Sequence, residues 1–195
     1  MATAFTPQER ETITAALLSA ARRCACSMGL KKTTLEALTQ QAGISKSAFY
    51  AFFPSKEHLF LQVHAQWQCE IFKDAHAALE GAQALPPRER AAYILEQTLC
   101  AIAHSDMFHY AIGDWALMER KLPPDELQGI AQTDTQLVRT LIDKAGITLS
   151  VPLEDASAIV RILLMSLRVR ASVGPYFDRG MSRLVHAACV QCIRE

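Results

Sequence analysis

Apolar side chains recur along this chain at helical spacing. Ile13, Leu17, Ala20, Ala21, Cys24 and Met28 form one stripe, preceded by Thr6-Pro7-Gln8-Glu9. A capping threonine, a proline at the first helical position and a glutamate three residues after the cap specify a helix start. Gly29 supplies the left-handed residue that ends one, so a helix over about 7–28 is predicted. Thr33-Thr34-Leu35-Glu36 repeats the capping logic ahead of Leu35, Leu38 and Ala42, closed by Gly43. Ser45 can cap a third helix carrying Ala48, Phe49, Phe52 and Phe53, stopped by Pro54. Ser55 opens a long helix in which Leu59, Val63, Trp67, Ile71, Ala75 and Leu79 recur every four residues, until the break from Gly81 to Pro87. Further breaks at Ser105-Asp106, Pro123-Pro124, Gly146 to Pro152 and Gly174-Pro175 leave five more segments, about nine helices in all.

Composition agrees with an all-α globular chain. Half of the 195 residues are hydrophobic and 7% aromatic; Ala and Leu are the commonest residues, while Val and Tyr are sparse. Met1 to Pro7 lacks the charged and apolar regions of a signal peptide, and no run approaches the roughly 18 apolar residues that cross a bilayer. A cytoplasmic protein with no membrane partner is expected. Six cysteines (Cys24, Cys26, Cys69, Cys100, Cys189, Cys192) are too few for a secreted disulfide scaffold and default to small buried hydrophobes. The net charge of zero hides an asymmetry: residues 1–64 carry seven basic against four acidic side chains, a net +3 balanced by the rest. A basic head on an acidic body fits a module that contacts DNA.

Two short helices joined by a glycine-containing turn, here around Gly43-Ile44, form a helix-turn-helix pattern. The segment TTLEALTQQAGISKSAFYAFFPSKEHL, from Thr33 to Leu59, resembles the DNA-binding region of the tetracycline-repressor (TetR) family of bacterial regulators, matching at Thr34, Leu38, Ala42, Gly43, Ile44, Ser45, Tyr50, Phe53, Lys56 and Leu59. Gly43 permits the turn, Ser45 caps the recognition helix, and Leu38, Ala42, Ile44, Phe49 and Phe53 are expected to pack the two helices together. Lys46, Ser47, Ala48 and Ala51 would face the major groove, where only Lys46 and Ser47 have much capacity for polar readout. The resemblance implies phosphate contacts for Thr34, Tyr50 and Lys56. Two positions depart from the family pattern: Thr39 replaces a small alanine, and Phe52 replaces a histidine or tyrosine able to bond a phosphate. Glu36 repels phosphate unless its carboxylate is occupied or accepts from a cytosine amino group.

The same resemblance implies a body that binds a small molecule and pairs with a second copy through its final two helices. The ligand candidates, between the long fourth helix and the middle helices, are Trp67, Ile71, Phe108, Ile112, Trp115 and Met118, with Cys100, His104 and Tyr110 adding polar selectivity. Each also recurs at core spacing, so plain packing is the competing reading. From Leu153 to Val173 the chain is apolar on nearly every side and must be covered on both. Val160, Leu163, Leu167 and Ala171, with Leu184, Ala188 and Cys192, are the dimer candidates; a central helix in a monomer is the alternative.

No catalytic group, metal site or cofactor is expected. Cys189-Val190-Gln191-Cys192 lacks a strand-to-helix context and a matching second pair, which leaves oxidation sensing ahead of thiol catalysis or a structural zinc as its functional alternatives, and Cys24 and Cys26 point about 200° apart on a helix. The histidines show no ligand spacing, and there is no phosphate loop, nucleophile elbow or dinucleotide fingerprint. The expected organisation is a helix-turn-helix domain over 1–54 and a helical ligand-binding and dimerisation domain over 55–195. The expected function is a homodimeric, ligand-responsive transcriptional regulator, a repressor released from a palindromic duplex operator by a small, partly hydrophobic molecule. The alternative is a dimeric adaptor of the same fold that docks another protein and senses nothing.

Overall fold

A computed structural model describes residues 5–195, except the side chains of Ile112 and Ala131; Met1–Ala4 lie outside the described residues. Among the described residues the chain is helical with no strand, apart from one isolated antiparallel bridge between Leu149 and Ile193. It folds into two compact units, residues 1–68 with 106–123, and residues 69–105 with 124–195.

In the first unit, α1 (Pro7–Ser27) begins as its sequence predicts. The Thr6 hydroxyl accepts from the Glu9 N–H at 3.3 Å, and the Glu9 carboxylate accepts from the Thr6 N–H at 2.8 Å. That backbone bond, with a second from the Thr6 hydroxyl, holds the Glu9 carboxyl below its usual range. Gly29, at φ 75°, restarts the chain as α2 (Gly29–Lys32). Only glycine suits the position, because a Cβ there would lie 2.6 Å from the Asp114 carboxylate. Next come α3 (Leu35–Gln41) and α4 (Lys46–Phe49), joined by a turn whose Gly43 sits at φ 68°. Past Phe49 the chain continues in turns rather than as helix, with Phe53 N–H bonded to Phe49 C=O at 3.1 Å. Leu17, Ala20, Ala21, Cys24, Leu30, Leu38, Phe49 and Phe53 are fully or almost fully buried, whereas Ala42 and Ile44 are only partly so.

Helix α5 (Lys56–Gly81) contributes Leu59, Phe60, Val63, His64 and Trp67 to the core of the first unit and Ala75 and Leu79 to that of the second. The first unit is completed by α7 (Phe108–Gly113) and α8 (Trp115–Glu119), after α6 (Pro87–His104) of the second. One helical segment was predicted between the breaks at Ser105-Asp106 and Pro123-Pro124; it divides at Asp114, whose carboxylate accepts from the Leu30 N–H at 2.5 Å. The Tyr110 hydroxyl donates to the Phe60 carbonyl at 3.0 Å, and Cys26 lies 3.7 Å from the Met107 sulfur.

The second unit adds α9 (Pro124–Lys144), α10 (Leu153–Ser166), α11 (Arg170–Val173) and α12 (Phe177–Cys192). Helix α12 packs along α6, and Ala75, Leu79, Ala82, Ile94 and Ala145 form a core flanked by Leu85, Leu141 and Ile147. The Arg90 guanidinium donates to the carbonyls of Gln83, Leu85 and Ala145, so one side chain ties the loop before α6 to the end of α9. The predicted apolar helix over 153–173 is interrupted: Ser166 bonds back to the Leu163 carbonyl at 2.6 Å, and Leu167–Val169 tightens into a 3₁₀ turn before α11. Among the described residues twelve α-helical segments are present, three more than predicted, namely α2, α8 and α11.

Candidate functional site

The recognition segment is built by caps. Thr34 Oγ1 accepts from the Ala37 N–H and Ser45 Oγ from the Ala48 N–H, both at 3.2 Å, starting α3 and α4. A hydroxyl that accepts at a cap keeps its own hydrogen for donation. Ser45 and Ser47 hydroxyls lie 2.9 Å apart, and Lys46 is ion-paired with Glu36 across the two helices. This answers the electrostatic problem posed by Glu36: its charge is matched by the principal groove-reading candidate. Thr34, Ser45, Lys46, Ser47, Tyr50 and Ala51 are exposed, whereas Ala48 is half-buried and serves packing as much as readout.

The two departures from the family pattern have local explanations. Thr39 is buried, and its hydroxyl is satisfied by the Leu35 carbonyl at 2.9 Å. Phe52 packs against Phe5 with ring centroids 5.3 Å apart and lies under the Arg10 guanidinium at 4.9 Å, while Arg10 donates to the Ala51 carbonyl at 2.9 Å. Arg10, absent from the sequence-derived candidates, thus brings a cation to the end of the recognition segment. Lys56 is placed differently from its expected role. Its ammonium donates to the Leu30 and Thr33 carbonyls at 2.9 and 2.7 Å, fastening the start of α5 to α2 and its C-cap. One of its three donors remains for phosphate.

The ligand candidates divide between the units. Trp67, Phe108, Tyr110, Trp115 and Met118 belong to the first, and Ile71, Cys100 and His104 to the second; the side chain of Ile112 lies outside the described residues. Trp67, Tyr110 and Met118 are buried, Phe108 and Trp115 half-buried. Burial, then the nearby Asp114, pushes the Tyr110 phenol above its ordinary range. His64, which sequence reasoning passed over, lies among these rings, and burial pushes its imidazole down to about 4. Its signal was present: Phe60, His64, Trp67 and Ile71 share one helical face, and a histidine interrupts it. Cys100 and His104 are exposed, and the His104 Nδ1 lies 2.8 Å from the Cys100 carbonyl within α6.

Among the dimer candidates, Leu163, Leu167 and Cys192 are buried in their own unit and are corrected to core residues. Val160 and Ala188 are half-buried; Ala171 and Leu184 are exposed. The outward apolar side chains of this stretch also include Ile162, Val169, Val173, Tyr176 and Val190. Periodicity marks an apolar face without saying whether the chain's own core or a second copy covers it, and Leu163, Leu167 and Cys192 are covered by the chain itself. Burial raises the Cys189 thiol to about 11, with Cys192 and Glu96 adding to the effect, and burial also raises Cys192. Both are held away from the reactive thiolate. Among the described residues no group of three or more His, Cys, Asp or Glu side chains could hold a metal ion, and no helix is long and apolar enough to cross a membrane.

A capped helix-turn-helix inside a helical unit, joined to a second helical unit, defines a helix-turn-helix protein of all-α architecture. Residues 17–63 match the family model for bacterial regulatory proteins of the tetR family, and this segment belongs to that family. No curated protein matches the chain. Solved structures do, across almost the whole length. A TetR-family transcriptional regulator from Pectobacterium atrosepticum is 20% identical, with TM-score 0.62, covering 94% of this chain and 93% of its own. RolR in complex with resorcinol is 15% identical, with TM-score 0.64 and coverages of 97% and 99%. The superantigen PfiT is 17% identical, with TM-score 0.61 and coverages of 95% and 98%. At these identities the likeness is one of fold.

Proposed function

We propose that the protein is a homodimeric, sequence-specific DNA-binding transcriptional regulator, acting as a repressor that a small, partly aromatic molecule releases from a palindromic operator. The observation that carries this reading is the exposed recognition segment, where Lys46, Ser47, Tyr50 and Thr34 cluster on two side-chain-capped helices within a tetR-family match. Lys46 and Ser47 read base edges; Thr34, Tyr50, Lys56 and Arg10 supply phosphate contacts that set register without carrying sequence information. The proposed division of labour assigns residues 1–54 to DNA and 55–195 to ligand and partner.

Ligand response has a physical route inside the first unit. The α7–α8 segment carries Phe108, Tyr110, Trp115 and Met118, and it is hydrogen-bonded to α2 through Asp114 and to α5 through Tyr110. A molecule that reorders these rings changes the support of the DNA-reading helices. The likeness to RolR, a protein solved with resorcinol, is in keeping with an aromatic ligand. Such coupling is reciprocal, so operator DNA must weaken ligand binding by the same factor that ligand weakens DNA binding. No enzymatic activity is assigned to the chain, and the expected location is the cytoplasm.

The test is selection of bound sequences from a random duplex library at near-physiological salt. An enriched palindrome is expected, and a folded dimer that enriches nothing overturns the DNA reading. One observation favours a second reading, a dimer whose body docks another protein and senses nothing: PfiT, a superantigen, has the same fold. A thermal-shift panel of aromatic compounds separates the two, because only a sensor is specifically stabilised.

A further inference from the structure

His64 lies one helical turn after Phe60 and one before Trp67, on the face of α5 that fills the first unit. It is only 7% exposed, and its Nδ1 has no hydrogen-bond partner among the described residues. Three aromatic rings surround it: Trp115 with centroid at 4.9 Å, Trp67 at 5.5 Å and Tyr110 at 6.3 Å. The Tyr110 hydroxyl of this cluster does not pair with it, and donates its hydrogen to the Phe60 carbonyl instead. Buried polar side-chain atoms in folded proteins are nearly always paired, and each exception calls for its own explanation. A buried imidazole nitrogen among three rings and without a partner therefore calls for an explanation.

We infer that His64 is the polar anchor of a ligand site in the first unit, and that its ligand is an uncharged aromatic molecule bearing a hydroxyl group. The inference rests on the ligand-responsive reading above and narrows it. Trp67, Tyr110 and Trp115 offer faces and edges to a planar ring. A neutral imidazole carries one N–H and one bare nitrogen, and whichever of them is Nδ1, a hydroxyl matches it by accepting or by donating. Burial keeps the imidazole uncharged down to about pH 4, and Asp114 is the charged neighbour of the Tyr110 ring. With no cation in the cluster and a carboxylate beside it, an anionic ligand is disfavoured. The half-buried Trp115 is where the cluster reaches the surface.

The test uses the full chain and two probes, phenol and toluene, which share a ring while only phenol carries an oxygen that can donate or accept. Isothermal titration at neutral pH should show phenol binding about tenfold or more tighter than toluene, as a site that hydrogen-bonds a hydroxyl rejects the analogue lacking it. Phenol should also move the ¹⁵N resonance of His64 Nδ1. His64→Phe, a ring without polar atoms, should erase the preference, and the comparison of probes on the unmodified protein stands even where that variant does not fold. Equal affinities, an unmoved Nδ1 resonance with phenol bound, or binding of neither probe overturns the inference. The sensor reading itself fails on a different result, when no compound of a broad panel releases the protein from its selected duplex.

Discussion

In the folded chain burial keeps the His64 imidazole neutral down to about pH 4, whereas its ordinary value is 6.5, so the unfolded chain takes up a proton first as pH falls. The folded value is depressed, so the stabilisation is complete above about pH 6.5 and drains away as pH drops toward 4. Between pH 6.5 and 5 the loss from this one group is about 1.5 kcal/mol, because the slope approaches its full value of about 1.4 kcal/mol per pH unit only well below 6.5. Urea unfolding of the native protein and of His64→Phe at both pH values should show a shallower pH dependence in the variant; equal dependences would mean that another group drives acid unfolding. Glu36 acts at the opposite surface, where its pairing with Lys46 is exposed and contributes little to folding. What the pair does supply is direction, because a tethered lysine presents its ammonium from one place. Glu36→Gln should leave stability within about 0.5 kcal/mol, raise affinity for DNA in general, and reduce discrimination at the base pair read by Lys46 by about 1–3 kcal/mol. Binding to the selected operator and its single-base variants measures both effects, and unchanged discrimination would show that Lys46 needs no tether.

The start of α5 is held to α2 and its C-cap by Lys56, whose two bonds to the Leu30 and Thr33 carbonyls close an arrangement that neither helix makes alone. Lys56→Ala should therefore lower unfolding stability by about 1–3 kcal/mol, the range for leaving partly buried acceptors unpaired. If the third donor also meets a phosphate, the same variant flattens the salt dependence of DNA binding by about one unit. Lost stability with an unchanged salt slope would return Lys56 to structure alone. This residue also shows where sequence reading stops. Thr6, Thr34 and Ser45 were legible because each bonds an N–H three residues away, and the long helices because their apolar faces repeat within one turn. The structural role of Lys56 could not be seen because its partners lie 26 and 23 residues earlier, and the breaks at Asp114 and Ser166 were missed because a tertiary bond and a side-chain back-bond decide them. Periodicity identifies a buried face but not which polar atoms on that face lack partners. For that reason Trp67, Tyr110 and Trp115 were on the candidate list while His64, in their midst, was not.

At the scale of the molecule, the second unit presents an apolar surface that a lone chain leaves in water. Ile162 is 67% exposed and Leu184 58%, and Val169, Val173, Tyr176 and Val190 of the same stretch are exposed as well. Single exposed apolar residues are ordinary, but six large ones between Ile162 and Val190 give this stretch of the chain more to gain than most from being covered. On the homodimeric reading proposed above the occupant is a second copy, because a two-fold dimer would carry two recognition segments to a palindrome while one head alone would meet a half-site. The basic balance of residues 1–64 concentrates phosphate attraction on the part that reads DNA, and pairing doubles it. Because Ile162 and Leu184 already face solvent, replacing each with glutamate leaves the chain's own core intact and acts on association alone. Ile162→Glu with Leu184→Glu should convert the dimer to a folded monomer in analytical ultracentrifugation, with unchanged helical circular dichroism, and should weaken binding to the palindrome far more than binding to a half-site. A double variant that remains dimeric would move the partner surface elsewhere, and one that becomes monomeric yet binds the palindrome undiminished would separate DNA recognition from pairing altogether.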